Sequence, residues 1–156
     1  MKIANGTINK VLVARLQRGE DVTEGLKKVC EANGVKNAVI ISMIGSLYGA
    51  RYTGPINDPS AKCGTGGTDI QLEGPIEMLT GQGEICHTDD GELSVHIHAT
   101  FTDSKGEAYG GHIFGEKNIV LNTLNVFIGV IDGVDMGVEL DQELDIMAFC
   151  PRNIVA

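Results

Sequence analysis

The sequence predicts one α+β domain, rich in strands and carrying a single main helix, on three observations. Strand-like runs recur along the chain, and one of them, Leu93 to Thr102, alternates apolar and polar residues without a break, which is the period of a half-buried strand. Glycine-containing turns separate these runs. One segment, after Asp21, combines helical spacing of apolar residues with recognisable start and stop residues. A length of 156 residues and a mass of 16.6 kDa fit a single domain over residues 1–156 with a sizeable core. With 42% hydrophobic and 21% charged residues the composition is that of a folded soluble chain.

In chain order, Thr7 to Leu16 reads as a fairly buried strand, with Val11 and Val13 on one face and Leu12, Ala14 and Leu16 on the other. Asp21 and Glu24 form a capping box that opens a helix running to about Asn33. Val22, Leu26, Val29 and Cys30 face the core, and Gly34 supplies the left-handed C-terminal cap. Ala38 to Met43 reads as a buried strand that Gly45 breaks, and Ser46 to Tyr52 as a further strand whose cation is Arg51. Gly54 to Gln71 collects Pro55, Pro59, Gly64, Gly66 and Gly67, the longest loop signal in the chain. A lid or partner contact and an ordinary flexible surface loop are equally compatible with it. Gly64-Thr65-Gly66-Gly67 lacks the Lys and Ser or Thr of a phosphate loop.

Leu72 to Cys86 is strand-like, with bends or bulges expected at Gly74-Pro75, Gly81 and Gly83. Asp89-Asp90-Gly91 turns the chain into the alternating run. Ile119 to Ile131 is apolar on both faces and needs cover on both, from the helix or from another subunit. Short strand candidates around Gly137 to Leu140 and Leu144 to Phe149 complete the chain.

Three histidines carry the chemistry. His96 and His98 share the polar face of the alternating run with Ser94, Thr100 and Thr102. Asp103 to Glu107 reads as a hairpin turn with a three-residue loop and Gly106 in the left-handed conformation. That register sets Phe101 opposite Tyr109, Ala99 opposite Gly111 and His98 opposite His112. A two-residue loop would instead oppose Ile97 to His112 and mix polar with apolar side chains on both faces. Directly paired residues stand about 5 Å apart and same-face neighbours along a strand about 7 Å apart, so three imidazoles can converge on one ion. Three neutral nitrogen donors suit zinc, with nickel, copper or iron as alternatives, and a fourth position left to water or ligand is the pattern of catalytic zinc. A metal-free polar cleft is the plainer alternative. His87, outside the cluster, reads as an ordinary surface or hydrogen-bonded residue.

Composition narrows the partners. The net charge is −9, and Asn118 to Pro151 contains six carboxylates and no Lys or Arg, so autonomous binding to DNA lacks its electrostatic footing. Cys30, Cys63, Cys86 and Cys150 form no C-x-x-C pair and read as reduced thiols. Neither a signal peptide nor an apolar run long enough to span a membrane is expected, which makes the cytoplasm the default location.

Several segments together resemble the plants-and-prokaryotes-conserved (PPC) domain over nearly the whole chain. They are Arg18-Gly19-Glu20-Asp21-Val22, Ile44-Gly45-Ser46-Leu47 with Ala50, Gly74-Pro75-Ile76-Glu77-Met78-Leu79, and His96-Ile97-His98 with Gly110-Gly111-His112. The resemblance implies a compact, mostly antiparallel sheet flanked by one main helix, a homotrimer, and zinc at His96, His98 and His112. Plant relatives attach this domain to a basic AT-hook, which this sequence lacks. Their Gly-Arg-Phe-Glu-Ile-Leu partner motif corresponds to Gly74 to Leu79, with Pro75 and Ile76 in place of Arg and Phe. The fold is also similar to that of acetolactate decarboxylase, which by analogy alone suggests a metal-dependent lyase or hydrolase.

Three functions therefore compete. The first is a zinc trimer that binds or turns over a small polar or anionic ligand, where the metal acidifies water or polarises a carbonyl. Glu77, Glu84 and Arg51 are its nearest acid, base and anion-binding residues by composition, although each reads first as a solvated strand residue, and Ser94 and Thr100 could support the ligands. The second is a DNA-binding or transcription-associated protein, as the family label suggests. The third is a structural or partner-binding trimer stiffened by metal. No substrate or catalytic residue is named by the sequence.

Overall fold

The computed structural model describes residues 1–154. The order of elements is β1 (Thr7–Gln17), α1 (Val22–Ala32), β2 (Ala38–Thr53), β3 (Pro55–Asn57), β4 (Thr65–Gly67), β5 (Ile70–His87), β6 (Leu93–Thr102), β7 (Ala108–Ile113), β8 (Val120–Asp132), β9 (Val134–Asp141) and β10 (Ile146–Asn153). The architecture is the expected one, a mostly antiparallel sheet with one main helix.

Eight strands form a single sheet in the order β1-β8-β2-β7-β6-β5-β9-β10, and β2 also pairs with β5. That extra pairing closes β2, β5, β6 and β7 into a ring, which removes free edges at its centre. The ring interior is filled by Leu47, Tyr52, Ile76, Met78, Ile97, Phe101 and Ile113, all buried, and Tyr52 and Phe101 meet with ring centroids 5.7 Å apart. Leu26, Val22 and Cys30 of α1 join the same core.

The helix begins where the sequence places it. The Asp21 carboxylate accepts the backbone N–H groups of Thr23 and Glu24 at 3.0 and 3.2 Å, satisfying two of the donors that a helix start leaves unpaired. The reciprocal half of a capping box does not form, because the Glu24 carboxylate pairs with Lys27 at 2.9 Å instead. Gly34 follows with φ +65°.

Three further expectations are corrected. Gly45 does not end a strand: β2 is continuous from Ala38 to Thr53 and changes register there against β8. Its φ of +155° and the crowding of an added Cβ against the Thr123 carbonyl and Leu124 Cα explain the glycine. Residues 54–71 are not a structureless loop, since β3 and β4 pair as a small hairpin, Pro55 opposite Gly67 and Asn57 opposite Thr65. Finally, β1 is an edge strand with Val11, Val13 and Ile8 exposed by 49%, 69% and 52%, so the strand expected to be buried is largely open on its outer face. Among the described residues no helix is long and apolar enough to cross a membrane.

The close approach at Gly45 yields a direct test. Replacing it with Ala is expected to destabilise the fold by about 2 kcal/mol or more, because backbone rather than a flexible side chain must move. Urea unfolding of wild type and Gly45→Ala measures this.

Candidate functional site

The ring needs Ile97, Ala99 and Phe101 in its interior, so strand alternation forces His96 and His98 outward on β6. The turn into β7 then decides where His112 goes. The Asp103 N–H donates to the Glu107 carbonyl at 3.1 Å, the Asp103 carboxylate accepts the Lys105 and Glu107 N–H groups at 2.9 and 3.0 Å, and Gly106 sits at φ +80°. The resulting register pairs Phe101 with Tyr109, Ala99 with Gly111 and His98 with His112, as the three-residue loop requires. One step further on, Ile113 leaves β6 and pairs with Tyr52 of β2.

Cross-strand pairing consequently assembles a row of side chains on one face. Thr53, His112, His98 and Gln82 are successive partners on β2, β7, β6 and β5. His96 lies two residues from His98 and directly opposite Glu84. The His96 and His98 rings stack with centroids 5.1 Å apart, and the His112 ring stands edge-on to them at 4.5 and 5.5 Å. Ligand nitrogens from the three residues lie within 4.8 Å of one another, and the His96 and His98 Nε2 atoms are 3.0 Å apart.

This donor set fits a metal ion. Two nitrogens bound to one tetrahedral zinc at ~2.05 Å stand about 3.3 Å apart, close to the His96–His98 separation, and small ring rotations bring in His112. Its half-buried position, together with the neighbouring His96 and His98, holds the His112 pKa below the ordinary histidine value. Depression favours the neutral imidazole that a metal requires. The Glu84 Oε1 atom lies 3.5 Å from His96 Nδ1. At that range Glu84 places a carboxylate beside the ring, while His96 Nε2 lies against His98 Nε2.

Two concavities flank His98. One, of about 480 Å³, lies between the histidines and the β3–β4 hairpin, with Gly54, Pro55, Gly66 and Gly67 on the hairpin side and Thr53, Gly111, His98 and His112 on the sheet side. The other, of about 270 Å³, carries Thr80, Gln82 and Thr100 beside His98. The long loop signal is thereby placed at the mouth of the site. Its base is held by Arg51, which grips the Asp69 carboxylate through Nε and Nη2 at 3.0 and 2.8 Å and lies 4.5 Å above the Phe114 ring. The hydrogen bonds from Arg51 hold the Asp69 carboxyl below the usual carboxylate range.

Of the residues singled out from sequence, the structure brings Glu84 and Thr100 to the histidines and leaves Glu77 away, exposed and opposite Ser46 and Thr102. Arg51 is engaged by Asp69. Ser94 pairs with Cys86 farther along the face. His87 makes a 2.7 Å contact with Asp135, which Arg152 also grips at 3.1 Å, so it ties β5 to the β9–β10 hairpin. Sequence reasoning missed Gln82 and buried Asn118. The latter accepts the Arg51 N–H at 2.9 Å and donates to the Phe114 carbonyl at 2.9 Å, buttressing the chain behind His112. The four cysteines are free thiols outside the cluster.

A family model described as the Plants and Prokaryotes Conserved domain matches residues 3–132. Solved structures with the same fold include a metal-containing protein from Archaeoglobus fulgidus, 25% identical, covering 96% of this chain and 99% of that one with a TM-score of 0.79. A plant- and prokaryote-conserved protein from Pyrococcus horikoshii is 21% identical, with coverage of 95% and 97% and a TM-score of 0.78. A candidate DNA-binding protein from Bacteroides thetaiotaomicron is 16% identical, with coverage of 94% and 96% and a TM-score of 0.72. A curated relative, the bifunctional protein GlmU of a Synechococcus strain, is 29% identical over 104 residues, or 67% of this chain, and the match spans only 14% of that protein's length.

The Arg51–Asp69 pair should govern the hairpin more than the fold. In Asp69→Ala, amide exchange over residues 55–67 is expected to speed by roughly tenfold while the global unfolding midpoint moves little. Hydrogen–deuterium exchange checks both.

Proposed function

Because the chain belongs to the Plants and Prokaryotes Conserved domain family, we propose that it is a cytoplasmic homotrimer that holds zinc through His96, His98 and His112 and uses it to bind or turn over a small polar ligand. The observation that carries this reading is the convergence of three imidazoles, with ligand nitrogens within 4.8 Å, beside a cleft of about 480 Å³. A similar arrangement without the cleft would fit a closed structural site equally well. The metal content of the Archaeoglobus relative adds support.

Bound there, zinc would supply Lewis acidity toward a carbonyl or carboxylate oxygen. The chain's own residues do the rest. Glu84 sets a negative charge beside His96, Gln82 and Thr100 offer hydrogen-bonding groups beside His98, and the β3–β4 hairpin shields one side from water. A net charge of −9 weighs against carrying over the DNA binding ascribed to the Bacteroides relative.

The purified protein is expected to contain about one zinc per chain, and His98→Ala to lose it. Elemental analysis with circular dichroism reads metal and fold together, and a folded, metal-free His98→Ala supports a functional rather than a stiffening ion. Wild-type protein that takes up no stoichiometric metal even with added zinc sinks the reading.

The trimer part of the reading is supported by the outer face of the sheet. Val13 is paired with Phe127, which is 40% exposed, and Ile8, Val39 and Ile41 crowd over Gly129 next to them. So continuous an apolar surface is what a subunit interface covers. Phe127→Glu is expected to shift the wild-type trimer to monomer in sedimentation equilibrium.

A further inference from the structure

The cleft between the histidines and the β3–β4 hairpin has a chemistry that selects its occupant. None of its eight lining residues is charged. Its hairpin wall is glycine and proline, which offer carbon and flat backbone in place of side chains. The neighbouring guanidinium of Arg51 is already neutralised by Asp69. On the histidine side, neutral imidazoles add no charge, and Glu84 contributes one negative charge behind His96.

We propose that this cleft takes a flat monocarboxylate, with its carboxylate toward the three histidines and its uncharged carbon body between Gly111 and the Pro55–Gly67 wall. The inference rests on the metal reading above. A divalent ion, three neutral imidazoles and Glu84 leave a net charge of about +1, which one carboxylate neutralises and a phosphate dianion overshoots. A volume of about 480 Å³ is that of a small-molecule pocket. The more polar concavity carrying Thr80, Gln82 and Thr100 is left to water on the other flank of His98.

Benzoate is the probe, titrated into the zinc-loaded full chain while the amide resonances of Gly54, Gly66, Gly67 and Gly111 are followed by NMR. Benzoate is expected to shift them and to bind at least about tenfold more tightly than inorganic phosphate. Two variants separate shape from charge. Pro55→Gln adds bulk to an exposed position of the wall without charge, and Pro55→Glu puts a fixed negative charge there; the first is expected to bind benzoate much as wild type does and the second about tenfold more weakly, with the zinc content unchanged. If zinc loads at one per chain and benzoate leaves the glycine amides unmoved, phosphate binds as well, or Pro55→Glu binds like wild type, the inference falls while the metal reading stands. If zinc does not load, the metal reading falls and takes the inference with it.

Discussion

The register between β6 and β7 is the constraint on which the site depends. Side chains alternate with a period of two, so a slip of one residue in the Asp103–Glu107 turn would send His112 into the core and bring Ile113 out. The turn resists that slip through local chemistry. The Asp103 carboxylate takes two backbone N–H groups, and Gly106 occupies a left-handed conformation that other residues adopt at a cost. The apolar side enforces the same choice from within, because Phe101, Ile97 and Ile113 are fully or nearly fully buried. Two independent preferences, one of the turn and one of the core, specify one register.

From that register the site grows outward across the sheet. Closure of the β2–β5–β6–β7 ring brings Thr53 to one side of His112 and Gln82 to the far side of His98. The same closure sets β2 beside β7, so the β3–β4 hairpin that leaves β2 lies over the histidines. Partial burial of His112, with His96 and His98 beside it, disfavours its protonated form and lowers its pKa. The arrangement therefore trades some pH tolerance for neutral donors. Protonation below the ordinary histidine range opposes it, and the stability that neutral His112 contributes fades as pH falls through that range.

Much of this was legible in the sequence. Alternation from Leu93 to Thr102 and the spacing to Gly106 were enough to bring His98 and His112 together, and the PPC motifs supplied the fold. Glu84 was within reach too: a turn at Thr88 to Glu92, with Gly91 left-handed, pairs His87 with Leu93 and so Glu84 with His96. Composition without topology leaves burial undetermined. β1 is apolar on both faces, but it lies at the sheet edge with Ile8, Val11 and Val13 exposed, so its hydrophobicity predicted a burial that the fold of one chain does not provide. Gly45 looked like a strand end because a glycine that allows close strand approach and one that ends a strand are identical in sequence. The glycines and prolines of residues 54–67 signalled a loop correctly, yet two three-residue strands of weak propensity pair there because Thr53 and Asp69 anchor the ends of the arm beside the sheet.

The proposed site holds one metal ion through His96, His98 and His112 alone among protein groups, with its remaining position facing the cleft. X-ray absorption at the zinc edge of the loaded protein tests it most directly. Three imidazole nitrogens at about 2.0–2.1 Å and a light-atom ligand that is not imidazole are expected. A sulfur ligand, a fourth imidazole, or fewer than three imidazoles would contradict it.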